Sequence, residues 1–372
     1  MAVKLQQISS LITKLAPKEL AAEWDNVGLQ VGSYNQEVAK VLVALDVNEA
    51  VMEEAIEQNV DLIVSHHPFI FSELESVRFD TATGSLIQKA IKNDIAIYSA
   101  HTNYDIAPGG LNDFLAEKLA VKNTSPLQVT TTEELKKIVV FVPEDSLDEV
   151  REGLGELGAG WLGNYSYCSF YQAGTGTFKP LADSNPYQGE VGQINKVEEY
   201  RLETIVKADN LNKVINKLQE VHPYEEVAYD IYAVENEGEK LGLGRIGYLD
   251  NTVKVSEYLE ELKSELDLET VKFVGNADDE VNKVALCSGS GADFIKTAAF
   301  QGADLYITGD VKYHEAQLAE ELELNLIDAG HYGTEKIMRK GMTDYLREQI
   351  TTDNLNVKII KSEINTNPLQ VK

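Results

Sequence analysis

Asp61-Leu62-Ile63-Val64-Ser65-His66-His67 is the stretch that decides how this chain is read. A short apolar run of this kind is the mark of a strand buried on both faces of a sheet. Two adjacent imidazoles follow it. In open α/β sheets, ligands bind just beyond the carboxyl ends of strands, so His66 and His67 are aimed at the place a metal or substrate occupies. Two further strand ends share this character. Ile95-Ala96-Ile97-Tyr98-Ser99-Ala100 is capped by His101, with Asp105 four residues on. Leu324-Asn325-Leu326-Ile327-Asp328 is followed by His331 and, four residues on, Glu335. Four of the six histidines thus sit at three strand ends. One histidine after a strand is usually a loop residue or a satisfied core group. Three such ends carrying His-His, His-x3-Asp and His-x3-Glu form an imidazole and carboxylate set without thiolate, the donor set of divalent transition metals used in hydrolysis. Carboxylates can bridge ions, and a set this large suggests two metals rather than one.

Composition bounds the rest. At 372 residues, length favours two or three domains. A net charge of −28 argues against an extended nucleic-acid track, which needs a basic stripe; any phosphorylated substrate has to be held locally. No apolar run reaches 18 residues and the N-terminus lacks a signal pattern, so no membrane segment and a cytoplasmic location are expected. Cys168 and Cys287 lack metal-ligand spacing and predict no structural disulfide.

Outward from the opening stretch, helix and strand patterns alternate. Leu5, Ile8, Leu11, Ile12 and Leu15 fall at helical spacing and stop before Pro17. Strands at 38–47, 61–65 and 95–100 are separated by helices at 49–58, capped by Asn48, and 83–92, with another helix at 110–120. This order predicts a mainly parallel sheet covered by helices. From about residue 281 the pattern returns: strands at 283–287, 305–308, 324–328 and 357–360, helices at 292–301, 311–321 and 334–347. Asp61 to His66 parallels Asp304 to Gly309. Each region also ends in nearly the same heptapeptide, Asn123 to Val129 and Asn365 to Val371. The fold class expected is therefore α/β, with two related α/β lobes, residues 1–129 and 237–372, their ligands converging between them. The intervening segment, 130–236, has the order β-α-β-β-α-β of a ferredoxin-like split unit and reads as an inserted α+β domain.

Lesser motifs are weighed the same way. Gly242-x-Gly244-x-x-Gly247 has the letters of a dinucleotide fingerprint, but no strand clearly precedes it and no helix opens on it, so it reads as a tight loop entering the second lobe. Cys287 to Gly291 follows a strand and leads to a helix; its amides either hold a phosphate or form a plain turn. Asp310 and His314 share a helix face by spacing and either support the site or are a cap and a surface group. Trp24, in a polar loop, either folds over the site or anchors the core. His222 to Glu226 reads as a turn.

These residues resemble the NIF-three-like family, many of whose members carry the name GTP cyclohydrolase I type 2 homolog. The resemblance rests on Glu23-Trp24-Asp25-Asn26-Val27-Gly28-Leu29, Ser65-His66-His67-Pro68, His101-Thr102-Asn103-Tyr104-Asp105, Gly242 to Gly247, Thr308-Gly309-Asp310 and Gly330-His331-Tyr332-x-Thr334-Glu335. The inserted segment is similar to the PII/CutA-like insert of the longer bacterial members. The resemblance implies two divalent ions (zinc, iron or manganese) on His66, His67, Asp105, His331 and Glu335, with Glu335 bridging. It places His101 beside them; because His101 leaves the same strand end as Asp105, it is the candidate catalytic residue, placed to move protons to or from a metal-bound water. It further implies a homohexameric ring and a hydrolase whose metal-bound hydroxide acts on a small nucleotide-like substrate. A metal-dependent phosphoesterase and a non-enzymatic metal-binding or regulatory ring remain the alternatives.

Overall fold

The structure, a computed structural model, describes residues 2–370; Val371, the last residue of the second heptapeptide, lies outside them. The described residues form a mixed α/β fold with three sheets. Thr131–Lys240 makes one compact unit and the remainder of the chain another.

The larger unit holds two sheets. The first runs Gly28–Val31, Ala96–Ser99, Leu62–Ser65, Lys40–Ala44, Lys358–Lys361. Its last four strands are parallel, and Gly28–Val31 pairs antiparallel at the edge. Every residue of Leu62–Ser65 and Ala96–Ser99 is buried, as their apolar runs require. Helix Leu5–Leu15 buries Leu5, Ile8, Leu11 and Ile12 on one face. Helix Glu49–Glu57 starts where Asn48 Oδ1 accepts from Val51 N at 3.0 Å.

The second sheet runs Lys272–Val274, Asn325–Asp328, Leu305–Gly309, Glu280–Ser290, Lys240–Lys254, Lys122–Thr132. Its middle three strands, Asn325–Asp328, Leu305–Gly309 and Glu280–Ser290, are parallel. Two features differ from the lobes expected. The last strand, Lys358–Lys361, pairs with Lys40–Ala44 of the first sheet rather than joining its own lobe. Conversely, Lys122–Thr132, at the end of the first lobe, is a strand of the second sheet. The carrier is helix Met338–Thr352. Its 15 residues span about 22 Å at the α-helical rise and bury Met338, Met342, Leu346 and Ile350. One hydrophobic core joins Val43 and Val64 of the first sheet, Val284, Leu286 and Ile307 of the second, and that helix. The single helix expected at 334–347 is also two: His331–Glu335 and Met338–Thr352.

Gly242 to Gly247 is not a loop. It lies within strand Lys240–Lys254, hemmed between two neighbours. A Cβ on Gly242 would stand 2.0 Å from Gln128 O, and one on Gly247 2.4 Å from Lys122 O. The glycines let backbones approach within the sheet, which is why a phosphate-loop pattern appears with no helix behind it.

In the smaller unit an antiparallel sheet has the order Ser169–Phe178, Asn195–Lys207, Leu135–Pro143, Tyr229–Ala233. Helices Leu147–Glu156 and Leu211–Val221 pack on one face through Val150, Leu154, Val214 and Leu218, against Ile138, Val140 and Leu202. His222 is a core group here: its Nε2 lies 3.0 Å from Phe141 O, and its Nδ1 accepts from Tyr224 N at 3.1 Å.

Candidate metal centre

The strand ends bring His66, His67, His101, Asp105, His331 and Glu335 together. His66 and His67 leave strand Leu62–Ser65. His101 follows Ala96–Ser99, and the short helix Thr102–Ile106 carries Asp105. After strand Asn325–Asp328, Gly330 takes φ +78°, a left-handed turn, and helix His331–Glu335 sets His331 and Glu335 one turn apart. His67 Nε2 and His331 Nε2 approach Glu335 Oε2 at 2.9 and 3.0 Å and each other at 3.3 Å. His66 Nε2 lies 3.6 Å from Asp105 Oδ1 and 3.7 Å from Glu335 Oε1. Two groups able to hold a metal ion result, His66 with His67 and His101, and His67 with His331 and Glu335; within each the ligand atoms lie within 4.8 Å of one another.

A layer of acceptors fixes the rings. His66 Nδ1 donates to Ala100 O at 2.9 Å. Asp46 Oδ1 holds His67 Nδ1 at 2.7 Å, Asp25 Oδ1 holds His101 Nδ1 at 3.0 Å, and Asp310 Oδ2 holds His331 Nδ1 at 2.8 Å. Each ring thus has its outer nitrogen occupied and its inner one turned into the cluster, the arrangement that orients metal-ligating imidazoles. The His66 contact is unambiguous, because a carbonyl only accepts. His66 therefore carries a proton on Nδ1 and turns its fully buried Nε2 towards two carboxylates. Among the described residues, His66 Nε2 is buried with no hydrogen-bond partner. Facing acceptors in a buried site demand a cation or protons between them, so the donor set fits a metal.

The electrostatics say the same. Burial disfavours a charged His67, but Asp46 and Glu335 outweigh it and push its pKa up to about 10. The hydrogen bond that His331 donates to Glu335, against burial and with help from Asp310, raises His331 to about 9. Burial pulls Glu335 upward, yet His331, His66 and His67 hold it well below the usual carboxylate range. For Asp105 burial wins and its pKa rises, His66 offsetting only part. Without a metal the cluster keeps protons; a divalent ion would displace them.

Asp46 and Asp25 were not among the expected site residues. Asp46 comes two residues after strand Lys40–Ala44, a strand-end position, but it lacks the imidazole that drew attention to the others. Asp25 stands inside the motif Glu23 to Leu29 and also accepts from Thr102 N at 3.0 Å and Thr102 Oγ1 at 2.5 Å. Asp310 supports the site without sharing a helix face with His314. It precedes helix Tyr313–Glu321 at φ +58°, while exposed His314 faces Gln317. Trp24 is no core anchor: it is 61% exposed, its ring 6.0 Å from His101 and 5.9 Å from Phe71. The amides expected to cradle a phosphate are occupied. Ser288 N donates to Asn112 Oδ1, Gly289 N to Thr334 Oγ1 and Gly291 N to Thr308 Oγ1, each at 2.9 Å. Ser288 instead offers its hydroxyl to Asp105 at 3.4 Å. Both cysteines are free thiols, and no described helix is long and apolar enough to cross a membrane.

The chain is similar to known proteins over nearly its whole length. The chain is 47% identical over 363 residues to a Bacillus subtilis protein named GTP cyclohydrolase 1 type 2 homolog, covering 98% of this chain and 97% of that one. A Halalkalibacterium halodurans protein of the same name is 46% identical over the same shares. A solved Bacillus cereus protein related to NIF3 matches with a TM-score of 0.94 at 47% identity, covering the whole of both chains. Residues 3–368 match the family Duf34/NIF3 (NGG1p interacting factor 3), and the chain belongs to that family.

Proposed function

We propose that the cluster holds two divalent ions and that the protein is a metal-dependent hydrolase of the GTP cyclohydrolase 1 type 2 homolog kind, acting on a small nucleotide-like substrate. His66, His67, Asp105, His331 and Glu335 are the proposed ligands, with Glu335 shared and zinc, iron or manganese as occupants. The observation that carries this reading is the buried His66 Nε2 facing the carboxylates of Asp105 and Glu335, inside a ring of imidazoles whose outer nitrogens are all engaged. When bound, such ions act as Lewis acids that ease deprotonation of water and stabilise developing negative charge. The chain supplies the rest. His101, steadied by Asp25, presents its inner nitrogen to the cluster and is the proposed proton carrier. The outer carboxylates keep the rings in one tautomer. The names of the Bacillus subtilis and Halalkalibacterium halodurans relatives support the hydrolase part.

The same reading treats residues 130–236 as an inserted ferredoxin-like module of the PII/CutA kind between lobes 1–129 and 237–372. Its support is the β-α-β-β-α-β order and the antiparallel sheet of the smaller unit. Self-association as a homohexamer in the cytoplasm completes it.

Purified, metal-loaded protein given GTP tests the chemistry. Formate release is expected. Phosphate or nucleoside instead means a phosphoesterase, and no product with zinc, iron or manganese means a metal-binding protein without this activity. Replacing His101 with Ala should lower turnover far more than metal content; loss of both in step makes His101 a ligand. Elemental analysis finding less than about one ion per chain overturns the two-metal reading.

A further inference from the structure

The smaller unit contains a cavity of about 750 Å³ that the metal reading does not use. Its sheet has helices on one face only. On the other face, strand pairing sets Gln172 and Phe141 opposite Arg201, and Gly174 opposite Glu199. The cavity lies over this face, roofed by residues 178–188 and the turn at 224–226. Two glycines make its floor. A Cβ on Gly174 would meet nothing within 4 Å, so the space above it is open. One on Gly176 would fall 2.0 Å from Glu199 Oε2, so that carboxylate lies over the floor.

The walls are aromatic. Phe141, Phe178, Tyr187 and Tyr224 line the space, and the rings of Tyr187 and Tyr224 stand 5.9 Å apart. Hydrogen bonds hold the roof open. Glu225 Oε1 accepts from Asn185 N at 2.9 Å, and Tyr187 OH donates to Asp145 Oδ2 at 3.0 Å. A roof fixed by polar contacts over an open glycine floor is a preformed site.

The polar groups narrow the chemistry. Tyr224 OH donates to Glu199 Oε1 at 2.8 Å, while Glu199 Oε2 has no hydrogen bond among the described residues. Glu225 and Glu226 add two more carboxylates. Of the cations, Arg201 is already paired with Glu203 at 3.1 Å, which leaves Lys179. Three carboxylates, Glu199, Glu225 and Glu226, face one unpaired cation, so the cavity disfavours phosphate, and the open Glu199 Oε2 favours a ligand N–H. We propose that this cavity binds a planar, neutral or cationic heteroaromatic molecule with N–H donors, of the free-base or nucleoside class, packed against the tyrosine rings and read by Glu199. This site is independent of the metal cluster.

Calorimetric titration of the full chain with guanosine, adenosine, cytidine and their triphosphates tests it. At least one nucleoside should bind one per chain with a Kd below about 1 mM, its triphosphate at least about tenfold more weakly. Gly174→Val, which fills open space on a strand, should weaken nucleoside binding at least about tenfold with metal content unchanged. Tyr187→Ala, on the exposed roof, should do the same and serves if the first variant fails to fold. The proposal is overturned if no nucleoside binds, if a triphosphate binds more tightly, if folded Tyr187→Ala binds like wild type, or if chelating the metal abolishes binding.

Discussion

The two sheets of the larger unit are built on one plan and do opposite work at the cluster. Each has a run of parallel strands, four in the first and three in the second, flanked by a short antiparallel edge strand, Gly28–Val31 in one and Lys272–Val274 in the other. Even the register device is repeated: Asp61 Oδ2 accepts from Ala39 N and Lys40 N, and Asp304 Oδ2 accepts from Asn282 N and Lys283 N. Their central strands then end differently. Leu62–Ser65 ends in His66-His67, whereas Leu305–Thr308 ends in Gly309-Asp310. A Cβ on Gly309 would lie 2.5 Å from His331 N, and one on Gly289 2.2 Å from Glu335 Oε1. The first sheet supplies three of the four clustered imidazoles. The second supplies one imidazole, the Glu335 carboxylate that lies beside His66, His67 and His331, and, through glycines, the room that lets that carboxylate reach across. A doubled fold thus becomes one asymmetric site: one copy carries donors and the other carries space.

That contrast can be broken directly. The largest effect should come from Glu335→Gln. It removes the charge that two imidazoles approach within 3.0 Å, and metal per chain should fall for both ions together. Loss of only one ion by elemental analysis would show that Glu335 is not shared. Next is Gly289→Ala. It combines φ +65° with the clash on Glu335, so both metal affinity and stability should drop, the latter by about 1–3 kcal/mol. Gly302→Ala is the control: φ is +73° with nothing within 4 Å. It should lose stability in thermal melts and keep its metal. Equal metal loss in both variants would deny the second sheet its space-making role.

Asp46→Asn and Asp310→Asn compare the two supporting carboxylates. Asp46 is half-buried, also accepts from Thr366 Oγ1, and holds a first-sheet ring; its loss should weaken metal binding about 10- to 100-fold. Asp310, exposed on the second sheet, should matter less, as competition with a chelating dye would reveal. The smallest effect is on pH. His67 and His331, raised to about 10 and about 9 from an unfolded value of about 6.5, stabilise the metal-free chain fully below pH about 6.5 and lose that contribution as pH rises through 9–10. Chelated protein should therefore melt at lower temperature as pH climbs from 7 to 10, with a flatter profile for loaded protein. Metal uptake at pH 7 should release protons, measurable by calorimetry in two buffers. Uptake without proton release would mean the rings are already neutral.

Much of this was legible in the chain. Apolar runs such as Leu62–Ser65 and Ala96–Ser99 announce buried parallel strands because a strand covered on both faces tolerates little else. The histidines at their ends follow from strand geometry, and the parallel of Asp61 with Asp304 marks the repeat. The heptapeptides teach the limit of likeness. Leu127 of the first copy is buried in a sheet, while Leu369 of the second is 76% exposed. Similar letters meet different neighbours.

By itself the sequence determined the local elements, the membership of the cluster and the compact β-α-β-β-α-β segment, since all of these depend on short-range periodicity and on donor type. Only tertiary structure decided the exchange of Lys122–Thr132 and Lys358–Lys361 between sheets, the glycine strand at 242–247, the supporting roles of Asp25 and Asp46, and the occupation of the amides near Ser288. Each of these is a contact between residues distant in the chain. Strand partners and hydrogen-bond partners of that kind are chosen by which surfaces the core brings together, and a pattern read along one strand or one loop carries no record of what packs against it.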